Sequence, residues 1–145
     1  MQFSTLLVAA MAAALPAMSA PAATEVSMMA AAAPQWTLKS FVRTCNAANT
    51  SCKYSYSIDT QSGAATPCTY TVAGTTASRA SYNNKKCGAF TISSNWSGQF
   101  GAGNGFQTLA VVKGKTVIYP AYTDKQLVNG KVVKPDQSYA PQNLP

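Results

Sequence analysis

Cys52-Lys53-Tyr54-Ser55-Tyr56-Ser57-Ile58 sets apolar and polar side chains in strict alternation. An extended chain, whose side chains point to opposite faces at a period of two, puts Cys52, Tyr54, Tyr56 and Ile58 on one side. The stretch therefore reads as a half-buried strand, and the same pattern recurs along the chain. Cys68, Tyr70 and Val72 alternate with Thr69 and Thr71, and Phe90, Ile92, Ser94 and Trp96 alternate again. Phe106 to Val112 reads as a strand that turns through Lys113-Gly114-Lys115 into Thr116 to Tyr119. Upstream, Trp36-Thr37-Leu38-Lys39-Ser40-Phe41-Val42 starts in alternation and slips phase at Phe41, which predicts a bulge.

The connections carry turn residues. Asp59 to Pro67 reads as a loop, and Gly74 to Lys86 as a polar loop or a short edge strand. Asn129-Gly130, set between Leu127-Val128 and Lys131-Val132-Val133, predicts a hairpin, because both residues tolerate the positive φ of a type I′ turn. Pro135, Pro141 and Pro145 predict an extended C-terminal tail outside the sheets. No segment after Trp36 shows a helical period with caps. The fold class is all-β, an antiparallel sandwich or small barrel. Its predicted core is Trp36, Leu38, Tyr54, Tyr56, Ile58, Tyr70, Val72, Phe90, Ile92, Trp96, Leu109, Val111, Val117 and Ile118.

The 145 residues divide into a signal peptide over 1–19, a spacer over 20–35, the β domain over 36–134 and the Pro-rich tail over 135–145. In the leader an apolar run from Leu6 to Leu15 ends at Pro16, and Ala17-Met18-Ser19 offers small side chains for cleavage after Ser19. Cleavage after Ala20 would set Pro21 beside the scissile bond. The N-terminal Met1-Gln2-Phe3-Ser4 departs from the rule in lacking Lys or Arg. A membrane anchor needs about 20 apolar residues, and Pro16 and Ser19 interrupt the run. The expected location is secreted and extracellular.

Export permits disulfides, and the four cysteines, Cys45, Cys52, Cys68 and Cys87, read as two of them. Of the three connectivities, Cys45–Cys52 with Cys68–Cys87 is expected, because Cys45 ends one strand and Cys52 begins the next. The longer loop, of about 20 residues, would contribute roughly 3 kcal/mol on a chain-entropy model. A zinc site is not expected, since the spacing lacks a Cys-x-x-Cys pair and the chain has no His. Asn49-Thr50-Ser51 and Asn95-Trp96-Ser97 are glycosylation sequons, with Asn49 in a polar stretch between two cysteines.

Little in the chain suggests catalysis. The absence of His removes the commonest general base and the usual triads. Asp59, Asp124 and Asp136 read as turn or tail residues rather than a converging carboxylate pair. The glycines at 98, 101, 103 and 105 fit neither the dinucleotide fingerprint nor the P-loop, and read as a flexible or kinked connection between strands. No cofactor or metal is expected, and the protein is read as a non-enzyme.

What remains is surface. The formal charge is +7, from 11 basic and 4 acidic residues. The lysines are scattered, so no nucleic-acid footprint is predicted; a modest basic balance suits acidic partners or anionic cell-surface polymers, and more often serves only solubility. Stable membrane insertion is not expected either. Tyr119, Tyr122, Asp124, Lys125, Lys131 and Lys134 are the candidate interaction residues, because tyrosines offer large contact area with a polar tip. The competing reading packs Tyr119 and Tyr122 onto the sheet and leaves the lysines to guard an edge against aggregation.

Certain blocks resemble a known family. They are Trp36…Phe41…Arg43-Thr44-Cys45…Cys52-Lys53-Tyr54…Cys68-Thr69-Tyr70-Thr71-Val72 and Cys87-Gly88-Ala89-Phe90-Thr91. With them go Trp96-Ser97-Gly98…Gly103-Asn104-Gly105-Phe106 and Tyr119-Pro120-Ala121-Tyr122-Thr123-Asp124-Lys125-Gln126-Leu127. Together, over roughly residues 36–139, they resemble the necrosis-inducing secreted effector family of plant-associated filamentous fungi. The resemblance implies a non-enzymatic virulence protein that binds host receptor-associated kinases, suppresses immune signalling and induces host cell death. Kinase domains lie inside the host cell, so it also implies uptake after secretion. No translocation motif is visible, and the resemblance carries over no active site. The rival readings are a cell-wall glycan-binding module and a basic antifungal or inhibitor protein.

Overall fold

The computed structural model describes residues 34–145; the predicted signal peptide and residues 20–33 of the spacer lie outside the described residues. In chain order the strands are β1 (Trp36–Cys45), β2 (Ser51–Asp59), β3 (Thr66–Ala73), β4 (Tyr82–Cys87) and β5 (Phe90–Ser97). They continue as β6 (Phe106–Lys113), β7 (Thr116–Ile118), β8 (Ala121–Thr123), β9 (Gln137–Tyr139) and β10 (Gln142–Asn143). One sheet is four-stranded in the order β9-β1-β2-β3, and the other is six-stranded in the order β10-β7-β6-β5-β4, with β8 also on β6. All pairs are antiparallel. The two inner faces share one core, so of the two predicted architectures the fold is the sandwich.

Alternation sets the inner faces. In β2, Cys52, Tyr54, Tyr56 and Ile58 are all buried while Lys53 is exposed. In β1 the register against β2 shifts between Lys39 and Val42, with Ser40 at φ 55°, which is the expected bulge. The bulge turns Phe41 and then Arg43 inward. It also frees backbone groups of β1 for the chain that returns past it. Val133 N donates to Phe41 O at 2.9 Å, and Ser40 N donates to Asp136 Oδ1 at 2.8 Å. Aromatic rings fill the space between the sheets. Phe41 stacks on Tyr56 at 4.7 Å, and the Tyr56, Tyr70 and Tyr82 hydroxyls form a chain with spacings of 3.0 and 2.7 Å.

Four expectations are corrected. Asn129 and Gly130 do take positive φ, 57° and 67°, but they make no hairpin. They lie in a 3-10 turn (Val128–Gly130) behind a short helix α1 (Asp124–Leu127). Leu127 is drawn into the core, so neither flank is free to pair as a strand. This capped helix is itself the second correction, since no helix was expected. The third concerns the C-terminal segment. Its prolines bracket β9 and β10 rather than exclude them, since both are short edge strands in which no proline must donate. The fourth concerns the predicted core, of which Tyr70 and Trp96 are only partly buried. The core also includes Phe41, Ala77, Tyr82, Tyr122, Leu127 and Val133.

The sandwich is joined along both sides. The Cys68–Cys87 disulfide ties β3 to β4, the facing edges of the two sheets. Lys85 Nζ reaches across the same side to Thr71 O at 3.1 Å. On the opposite side β9 adds to β1 and β10 adds to β7, so a single chain segment edges both sheets. Cys45–Cys52 closes the β1–β2 hairpin within one sheet.

Candidate functional site

The segment 119–134 starts on the outer face of the larger sheet and ends beside the middle of β1, where Val133 bonds to Phe41. Tyr119 is 45% exposed. It lies with Ser93, Asn95 and Thr108 along a shallow groove of about 250 Å³. Tyr122, a candidate interaction residue whose competing reading packs it onto the sheet, is 1% exposed and follows the packing reading. Pairing of β8 with β6 sets its direction, and it stacks on Phe41 with ring centroids 4.0 Å apart. Burial pushes its phenol pKa well above the usual value. It is a core residue and offers no surface to a partner.

Thr123 begins α1 through a reciprocal cap. Its Oγ1 accepts from Gln126 N at 3.2 Å, and Gln126 Oε1 accepts from Thr123 N at 2.9 Å. The Thr-x-x-Gln spacing is the signature of such a capping box, a signal in the sequence that alternation alone overlooks. The cap fixes Asp124, whose side chain is 27% exposed, in the first turn. Asp124 Oδ1 accepts from Arg43 Nη1 at 3.1 Å, and Oδ2 accepts from Trp96 Nε1 at 2.8 Å. Arg43 is 6% exposed. Its Nη1 also donates to Ser78 O at 3.0 Å and, at the limit of reach, to Gln107 Oε1 at 3.5 Å. Tyr54 OH donates to the same Gln107 oxygen at 3.1 Å. A buried guanidinium is tolerated only where carboxylate and hydrogen bonds replace water; this network supplies them to Nη1, while the buried Nε has no partner among the described residues. The bulge at Phe41, followed through its phase, places Arg43 inside; this was the signal for it.

The glycine-rich run packs against the network. A Cβ on Gly105 would lie 2.5 Å from both Asp124 Oδ2 and Trp96 Cζ2, and one on Gly98 would lie 2.6 Å from Trp96 Cη2. Close approach, not chain flexibility, is what these two glycines provide. The Arg79 guanidinium sits over the Trp96 ring at 5.1 Å. These residues and the loop glycines enclose a cleft of about 320 Å³.

Lys125, Lys131 and Lys134 are exposed, as are Val128 at 48% and Val132 at 39%. The ion pairs among the described residues are Lys39–Asp59 and Arg43–Asp124. Asp136 accepts from Ser40 N. Lys125, Lys131 and Lys134 therefore have no carboxylate partner among the described residues. Of the candidate set, the structure gathers these lysines on one segment, puts Asp124 in the buried network, and sets Tyr119 on a separate face. Of the sequon residues, Asn95 is exposed. Asn49 is half-buried, with its Nδ2 donating to Ser78 Oγ at 2.8 Å and its Oδ1 accepting from Ser78 N at 2.9 Å. Among the described residues no group of His, Cys, Asp or Glu is placed to hold a metal, and no helix is long and apolar enough to cross a membrane.

A model of the family described as Effector TSP1 matches residues 37–144. A protein named Effector TSP1 from Hypocrea virens (strain Gv29-8 / FGSC 10586) is 51% identical over 148 aligned residues, covering 100% of each chain. The matched span contains both sheets, both disulfides and the Arg43–Asp124–Trp96 network. The chain belongs to the Effector TSP1 family.

Proposed function

We propose that this chain is a secreted, non-enzymatic virulence effector. In this reading it binds a host receptor-associated kinase, suppresses immune signalling and induces host cell death, entering the host cell after secretion. The effector class is that of the family; the kinase partner is the one implied by the motif resemblance. The observation that supports recognition is the 125–134 segment. There Lys125, Lys131 and Lys134, without a carboxylate partner among the described residues, stand around the exposed Val128 and Val132 on a capped, anchored turn. Apolar contact surrounded by uncompensated cations suits an acidic protein surface, since complementary charge speeds and orients docking. A glycan-binding reading is favoured by Tyr119, exposed beside Ser93, Asn95 and Thr108.

The test is a pull-down with host kinase domains set against sedimentation with cell-wall polysaccharide. Replacing Lys125, Lys131 and Lys134 together by Gln is expected to weaken kinase binding by about tenfold and flatten its salt dependence. The melting temperature should barely move, since exposed charge changes alter stability by under about 0.5 kcal/mol. Unchanged kinase binding by the folded variant overturns the assignment of this surface. Polysaccharide binding lost in Tyr119→Ala transfers the function to the glycan face.

A further inference from the structure

A second cleft, of about 540 Å³, opens on the other side of the buried network, within the size range of small-molecule sites. Arg43, Thr44, Asn49, Ser78, Asn129 and Gly130 are among its lining residues, and no carboxylate is. Arg43 engages the network through Nη1 alone. Its Nη2 has no partner among the described residues, and its buried Nε has none either. Ser78 Oγ accepts from Asn49 Nδ2 at 2.8 Å, which leaves its own hydroxyl hydrogen to donate elsewhere. The Asn129 amide is likewise unengaged among the described residues, and φ 57° fixes its backbone. The cleft thus gathers unused donors around a positive side chain that is over nine-tenths buried.

We propose that this cleft binds the carboxylate of a small organic acid, such as an acidic sugar or an aspartate side chain. Asp124 already balances Arg43, so a singly charged carboxylate is compensated better than a phosphate dianion. Exposed Lys131, which follows Gly130 of the lining, adds longer-range attraction. The site lies beside the kinase-docking segment but does not depend on it, and small-molecule probes test it separately from any protein partner.

The experiment is NMR titration of the ¹⁵N-labelled mature chain with galacturonate, N-acetyl-aspartyl amide, galactose and inorganic phosphate. The backbone amides of Ser78, Asn129 and Gly130 should shift with the carboxylates and stay still with galactose. Response to galacturonate alone assigns a sugar source, response to the aspartyl amide alone assigns an acidic peptide, and response to both establishes the shared group. Thr44 is exposed and lines the cleft, and its Oγ1 would lie 3.4 Å from a Cβ on Gly130, so the two residues are in contact on the cleft wall. Thr44→Glu should therefore weaken binding by about tenfold or more, a loss of about 1.4 kcal/mol, while Thr44→Gln retains it. Asn129→Asp, which tolerates the positive φ, should weaken it in the same direction. Equal shifts with galactose, shifts with phosphate only, or no shift with either carboxylate overturn the proposal.

Discussion

Asp124 accepts hydrogen bonds from two side chains that reach it from different sheets, Arg43 of β1 and Trp96 of β5. An amide at this position keeps an acceptor oxygen but loses the charge that compensates Arg43. Breaking a fully buried pair from one side costs about 3–5 kcal/mol. The Asp124 side chain is 27% exposed, so water offsets part of that, and Asp124→Asn is expected to cost about 2 kcal/mol. A urea melt followed by tryptophan fluorescence measures it, and a loss under about 0.5 kcal/mol would show that the pair contributes little. At this scale the sequence was only partly legible. Lys53 and Tyr54 declare their faces by alternation, whereas Arg43 does not, because its direction depends on a bulge two residues earlier. Tyr122 was ambiguous for a related reason: alternation says that a side chain changes face, not which face is inside. That choice is made by the partner strand β6.

Between Thr123 and Val133 a local signal and a tertiary demand decide the element together. Asn129-Gly130 has the dihedrals of a tight turn, yet the Thr123–Gln126 capping box has already committed the preceding residues to α1. Loss of a capping hydroxyl costs about 1 kcal/mol. Thr123→Ala is therefore expected to lower stability by that amount and to loosen the loop ahead of it. Hydrogen exchange should report the loosening at Gln126 and Leu127, with the strands β1 and β2 unaffected. Equal loosening in β2 would show that the helix is coupled to the whole sheet rather than local. The long strands β2, β3, β5 and β6 were legible because each is amphipathic along its length. The short β8, β9 and β10 were not, because two or three residues carry no period, and they are held by the sheets they join.

Across the whole molecule the packing between the sheets includes a cluster of buried phenols. Burial raises the pKa of Tyr54, Tyr56, Tyr70, Tyr82 and Tyr122 above the ordinary phenol value of about 10. In the unfolded chain these groups lose their protons near pH 10, while the folded chain keeps them. The unfolded state then binds fewer protons, so stability is full below about pH 10 and falls above it by up to about 1.4 kcal/mol per tyrosine per pH unit. Phenolate absorbance from these residues should appear together with loss of near-UV circular dichroism. Phenolate appearing first, in a chain still folded, would mean that the core admits charge. The other whole-molecule feature is the segment that edges both sheets through β9 and β10. Synthesis runs from the N-terminus, so this is the last part of the described domain to emerge during export. Until then both sheets lack an edge strand on the same side. The partly made domain therefore has one flank open, although all four cysteines precede the final strands in the chain.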